Sequence, residues 1–104
     1  FPEFCRYLEY GGLHSDAHWA PQASLLLVPA EELSFIGRFE TLDEDLRTIL
    51  DAVGLTVPSS IARAGPPATN AGAHLAEHYD AASRDTVARL YRADLELFGY
   101  DWPA

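Results

Sequence analysis

Phe1, Phe4, Cys5 and Leu8 fall at helical spacing, and the pair Gly11-Gly12 closes that pattern. The chain is therefore predicted to open on the end of a helix, stopped by glycine. Residues 13–22 are polar and aromatic without any period, which predicts a loop. The consecutive Leu25, Leu26 and Leu27 between Gln22 and Val28 fit either a buried helical turn or a short buried strand. Pro29 with Glu31 and Glu32 then makes a turn. Leu33, Phe35, Gly37 and Phe39 alternate with Ser34, Ile36, Arg38 and Glu40, the two-residue period of a strand over 33–40. Ile36 on the second face points to burial on both sides, as in a parallel sheet.

A helix follows with a stronger signature. Thr41 is a natural N-cap with Glu44 three residues on, which predicts a capping box. Asp43, Glu44 and Asp45 crowd the first turn, where the helix dipole favours negative charge. Leu42, Leu46, Ile49, Leu50 and Val53 make one apolar stripe. Gly54 is placed to stop this helix, and Leu55 to fold back over its last turn. Residues 56–72, with several Pro and Gly, read as a long loop. His74 to Tyr79 predicts a short helical turn. A final helix is capped by Asp80 or Ser83, lined by Val87, Leu90, Tyr91, Leu97 and Phe98, and ended by Gly99. Three to four helices and one strand do not complete an α/β sheet, because a lone buried strand leaves both edges unpaired. Partner strands are expected in a missing N-terminal part of the same domain or in another molecule.

Composition bears on partners. The 104 residues allow one domain, 1–104, and carry a formal charge of −9. That charge opposes non-specific nucleic-acid binding, which needs a basic face, and repels anionic membranes. No apolar run approaches the roughly 18 residues of a membrane span. Cys5 is the single cysteine, so no disulfide forms within the chain. Met is absent, and with a helical pattern already running at Phe1 this leads to the expectation that the chain is the C-terminal portion of a longer domain. The basic residues are all Arg, with Lys absent and Ala abundant, a bias expected of a GC-rich bacterial genome.

His14, Asp16 and His18 stand at alternate positions, three metal-ligand types without an evident fourth. Convincing zinc sites show paired ligand clusters, so no metal is expected.

The run Phe35-Ile36-Gly37-Arg38-Phe39-Glu40-Thr41-Leu42-Asp43-Glu44-Asp45-Leu46 resembles the carbohydrate-type sulfotransferases. So do His18-Trp19-Ala20-Pro21-Gln22 upstream and Leu90-Tyr91-Arg92-Ala93-Asp94-Leu95-Glu96-Leu97-Phe98-Gly99-Tyr100 downstream. The resemblance covers most of the chain but only the C-terminal part of that family's domain. It implies an α/β, P-loop-like sulfotransferase fold, of which this is a helix-rich segment. It also implies transfer of a sulfuryl group from PAPS (3′-phosphoadenylyl sulfate) to a hydroxyl of a carbohydrate-like acceptor.

Such transfer needs a base for the acceptor hydroxyl and stabilisation of the charge building on the donor's leaving oxygen. By resemblance, His18 is the candidate catalytic base or acceptor-binding group, and Trp19, Gln22 and Arg38 are candidate acceptor-binding residues. Glu40 is a structural support for Arg38 or for the His18 loop, and Arg63 and Asn70 are candidate donor contacts. The competing reading has His18 and Gln22 satisfying loop backbone groups and Trp19 packing in the core. Asp94 is expected to pair with Arg38 or to cap a nearby backbone group.

The family's phosphosulfate loop and 3′-phosphate segment lie earlier in the domain than this sequence reaches, so the chain alone is expected to be inactive. The resemblance also lacks the Cys pair that animal members often carry in the region of Leu25–Pro29. That favours a bacterial, cytoplasmic setting over a Golgi lumen. Two other readings compete: a non-catalytic helical interaction module, and a small metal-binding domain built on His14, Asp16 and His18.

Overall fold

The computed structural model describes residues 1–56, 58 and 69–102. The chain divides into two compact units, one built from Phe1–Ala30 with Ala68–Ala104 and the other from Glu31–Pro67.

In the first unit, helix α1 spans Pro2–Tyr7 with Pro at its start, where the missing N–H costs nothing. It runs on into a wide π turn, Leu8–Gly12, that breaks at Gly11 with φ of 113°. A side chain is disfavoured at that angle, so the glycine stop read in the sequence is the stop observed. α2 is one turn, Gln22–Leu25. A 3₁₀ turn, Ala71–His74, leads into α4, Leu75–His78. α5, Ala81–Leu90, starts on a complete capping box: Asp80 accepts the Ser83 N–H at 2.7 Å, and Ser83 Oγ accepts the Asp80 N–H at 3.0 Å.

The single final helix expected from the sequence is two. Tyr91, at φ −104° and ψ 20°, separates α5 from α6, Arg92–Phe98. The backbone bonds run through the bend, since Tyr91 donates to the Val87 carbonyl and accepts from the Leu95 N–H. α6 ends at Gly99 in the left-handed region, and the Tyr100 N–H returns to the Leu95 carbonyl at 2.9 Å. α1 packs on α5, and α2 on α6. The most buried side chains are Cys5 and Leu8 from the first helical segment and Ser83 from α5. Phe1, Tyr79 and Trp102 form an aromatic edge-to-ring series, with the Arg84 guanidinium over the Trp102 ring.

In the second unit, α3 spans Leu42–Ala52 and stops where the sequence places the stop. Gly54 takes a φ of 73°, and the Leu55 N–H donates back to the Leu50 carbonyl at 2.9 Å. Leu42, Leu46 and Leu50 of the apolar stripe are half-buried, while Ile49 and Val53 are exposed. The start of α3 differs from expectation, because the Thr41 side chain does not cap. Its hydroxyl donates instead to the Asp45 carboxylate at 2.7 Å, and the same oxygen accepts the Arg38 N–H at 2.6 Å. Asp45 thus ties the chain entering the helix to its first turn, in place of a Thr41–Glu44 box.

The strand expected over 33–40 is not formed. Residues 33–38 run without regular structure, and Phe39–Thr41 is a 3₁₀ turn. Alternation specifies a strand only where a neighbour supplies ladder partners, and among the described residues there is no strand. Phe35, Ile36 and Phe39 are correspondingly exposed rather than buried on two faces. The Leu25–Val28 run is a helical turn followed by extended backbone. It is not buried, since Leu27 is fully exposed. The described part of the chain is helix-rich.

Candidate functional site

The loop between Gly12 and α2 is fixed at three points. At its start, the Gly12 carbonyl accepts the Ser15 N–H at 3.0 Å, the Ser15 hydroxyl at 2.7 Å and the Trp19 Nε1–H at 2.9 Å. The Tyr7 and Ser15 hydroxyls share a hydrogen bond of 2.6 Å. Trp19 sets its ring edge-on to Phe4 and Tyr7, at centroid distances of 5.6 and 6.2 Å. At the loop's middle, the Tyr91 hydroxyl donates to the Trp19 carbonyl at 2.5 Å. Burial, then the nearby Asp94 charge, push that phenol above its ordinary value, which keeps it a donor. At its end, the two oxygens of Asp94 accept the Gln22 and Ala23 N–H groups at 2.7 and 2.8 Å. Pro21 has no N–H, so these are the first donors of α2, and a carboxylate is a suitable acceptor for them.

Asp94 therefore caps a backbone, one of the two roles open to it from sequence. Tyr91, which reads from sequence as packing, is also a loop anchor. Neither link is visible locally, because more than 70 residues separate the partners. Arg89 of α5 pairs with Glu9, which joins the same two ends of the chain once more.

Between these anchors the chain projects His18, whose side chain is 89% exposed. Its Nδ1 lies 2.6 Å from Asp16 Oδ1, and the same oxygen accepts the His18 backbone N–H at 2.8 Å. The backbone N–H and then the ring N–H of His18 hold the Asp16 carboxyl below the ordinary carboxylate range. An ionised carboxylate only accepts, so Nδ1 carries a proton, and in the neutral ring Nε2 keeps a free lone pair. That arrangement can take a proton from a bound hydroxyl.

The other candidate residues are distributed as follows. Trp19 packs against Phe4 and Tyr7, and Gln22 is exposed at the start of α2. Arg38 and Glu40 belong to the second unit. Arg38 is extended and Glu40 sits inside a 3₁₀ turn, so the shared strand face expected of them does not exist. Asn70 is exposed in the left-handed region, where its carbonyl accepts the Ala73 N–H. Arg63 lies outside the described residues. Among the described residues no group of three His, Cys, Asp or Glu gathers as a metal would require, and Asp16 is engaged with His18 instead. No described helix is long and apolar enough to cross a membrane.

No curated protein matches the chain. No solved structure matches it either. A sulfotransferase family model matches residues 1–101, a span that holds the His18 loop together with both of its distant anchors, Tyr91 and Asp94. The chain belongs to the sulfotransferase family.

Proposed function

We propose that this chain is the acceptor-side, C-terminal segment of a carbohydrate-type sulfotransferase that uses PAPS as donor. The observation that carries this reading is the His18 imidazole, held by Asp16 on a loop pinned by Tyr91 and Asp94. In the proposed reaction Nε2 of His18 takes the proton of a sugar hydroxyl as its oxygen attacks the donor sulfur. The bond from sulfur to the bridging oxygen of PAPS breaks, and its electron pair leaves with the nucleotide phosphate. Exposed Gln22 beside this loop offers hydrogen bonds to neighbouring acceptor hydroxyls. Trp19 serves the loop through its packing against Phe4 and Tyr7.

The chain carries no Gly-rich phosphate loop, and Gly11-Gly12 lacks a basic residue after it. We assign donor binding to the N-terminal part of the same domain, the partner of this segment. That part would also supply the sheet of an α/β, P-loop-like fold, with Phe35, Ile36 and Phe39 as apolar groups for it to cover. Arg38, Arg63 and Asn70 are assigned supporting contacts to acceptor or donor in that assembly. An Arg-only basic set and the absence of a Cys pair favour a bacterial, cytoplasmic enzyme.

The test is transfer of labelled sulfuryl from PAPS to a panel of mono- and oligosaccharides by the full-length protein. Labelled sugar is expected, with the isolated 104-residue chain inactive. A full-length protein that binds the desulfonated nucleotide but sulfates no acceptor would instead support a non-catalytic interaction module.

A further inference from the structure

The Asp16–His18 contact is an exposed pair. Exposed ion pairs add little to stability, because water screens them and two side chains must be ordered to form them. Yet this pair is held by more than one hydrogen bond. Oδ1 of Asp16 accepts both the backbone N–H and the ring Nδ1–H of His18, at 2.8 and 2.6 Å. The acceptor is thus fixed to the main chain of the residue whose ring it holds. The Asp16 carbonyl in turn accepts the Ala20 N–H at 3.0 Å, and the next turn of chain is fastened through Trp19 to Gly12 and Tyr91. The ring is therefore oriented from below while its far edge meets solvent.

Resting on the sulfotransferase reading above, we propose that Asp16 is a positioning residue for sulfuryl transfer. It holds His18 as the Nδ1–H tautomer, so that Nε2 faces the acceptor hydroxyl as a proton acceptor. An imidazole with no such partner favours the opposite tautomer, with its proton on Nε2, where it would meet the hydroxyl as a donor and could not take its proton. Asp16 itself touches neither substrate nor reacting atoms.

The experiment reads tautomer and turnover separately. In the full-length protein with ¹⁵N-labelled histidine, the His18 signals are identified by their loss in His18→Gln. The wild type should show the Nδ1–H tautomer. Asp16→Ala should convert His18 to mainly Nε2–H and lower kcat by about a hundredfold with little change in KM, the cost of a misplaced catalytic group. Asp16→Asn offers the same Oδ1 acceptor and should restore the tautomer and most of kcat. An Nε2–H tautomer in the wild type, or a kcat in Asp16→Ala equal to wild type, overturns the proposal. Failure of the wild type to sulfate any acceptor removes the parent reading, whereas the tautomer result stands apart from it and still decides whether Asp16 orients His18.

Discussion

Asp94 and Gln22 are 72 residues apart in sequence, and a carboxylate oxygen of one lies 2.7 Å from the backbone nitrogen of the other. The second oxygen takes the Ala23 N–H. One acidic side chain on the last helix thus closes the end of the loop that presents His18. Hydrogen bonds to a charged group contribute about 1.5–3 kcal/mol each, and a lost cap costs about 0.5–2 kcal/mol. Asp94→Ala is predicted to lower the unfolding free energy by about 1–3 kcal/mol in urea titration. It should also lower turnover by loosening the loop. Asp94→Asn keeps one acceptor and should fall between the two.

Gly12→Ala is predicted to destabilise by about 1–3 kcal/mol, the usual range for forcing extra atoms into a filled space. A Cβ at this position would collide with the Tyr7 ring, meeting Cζ at 2.5 Å and Cδ1 at 2.7 Å. To make room the ring would have to swing aside, giving up its hydroxyl bond to Ser15 and its edge contact with Trp19. Thermal unfolding of the variant checks this, and an unchanged midpoint would contradict it.

Acid should weaken the fold through three carboxylates. Ser83 hydrogen bonds hold Asp80 below the ordinary carboxylate range, His18 does so for Asp16, and the Arg38 N–H with the Thr41 hydroxyl for Asp45. A folded-state value below the unfolded one means the unfolded chain binds protons more readily. The stabilisation is complete above the unfolded value and is lost as pH falls through the folded ones. Ser83→Ala removes one cause of the Asp80 shift, so stability of this variant should fall less steeply between neutral and acid pH than that of wild type. Parallel pH–stability curves would refute it.

Cys5 should be a slow thiol. Burial pushes it above its ordinary value, and it is 3% exposed. Labelling by a thiol reagent at neutral pH is expected to follow unfolding, being slow in buffer and rapid in denaturant. Equal rates in both would show that the α1–α5 contact opens freely.

What could be read from the sequence was local. The Gly54 stop with its Leu55 return and the Asp80 cap each depend on residues within a few positions of one another, and both form as expected. The alternation of Leu33, Phe35, Gly37 and Phe39 was equally legible but insufficient, since a strand is a property of a pair and the pattern names only one member. Thr41 gives its hydroxyl to Asp45, which satisfies the Arg38 N–H as well, and its own N–H goes to the Arg38 carbonyl, so no Glu44 box forms. The bend at Tyr91 carries no Gly or Pro to announce it. In the candidate site, His18 was picked out by resemblance, but Asp16 was read as a weak metal ligand. The usable signal was its spacing, two residues ahead of His18, which lets an Asp side chain bond the following backbone. Tyr91 and Asp94 could not be paired with the loop, because nothing in a linear pattern registers contacts across the whole chain.

The long reach from Gln22 to Asp94 also sets a clock. At synthesis rates of about 5–20 residues per second, some 4–14 seconds pass between the emergence of the His18 loop and that of its fastener. During that interval the loop has Asp16 to orient its histidine but neither Tyr91 nor Asp94 to hold its backbone. The growing chain therefore carries this side chain more than 70 residues before the groups that fasten its loop. A protein truncated before α6 would keep every residue of the His18 loop and the Tyr91 anchor, and lose the Asp94 clasp at the loop's end.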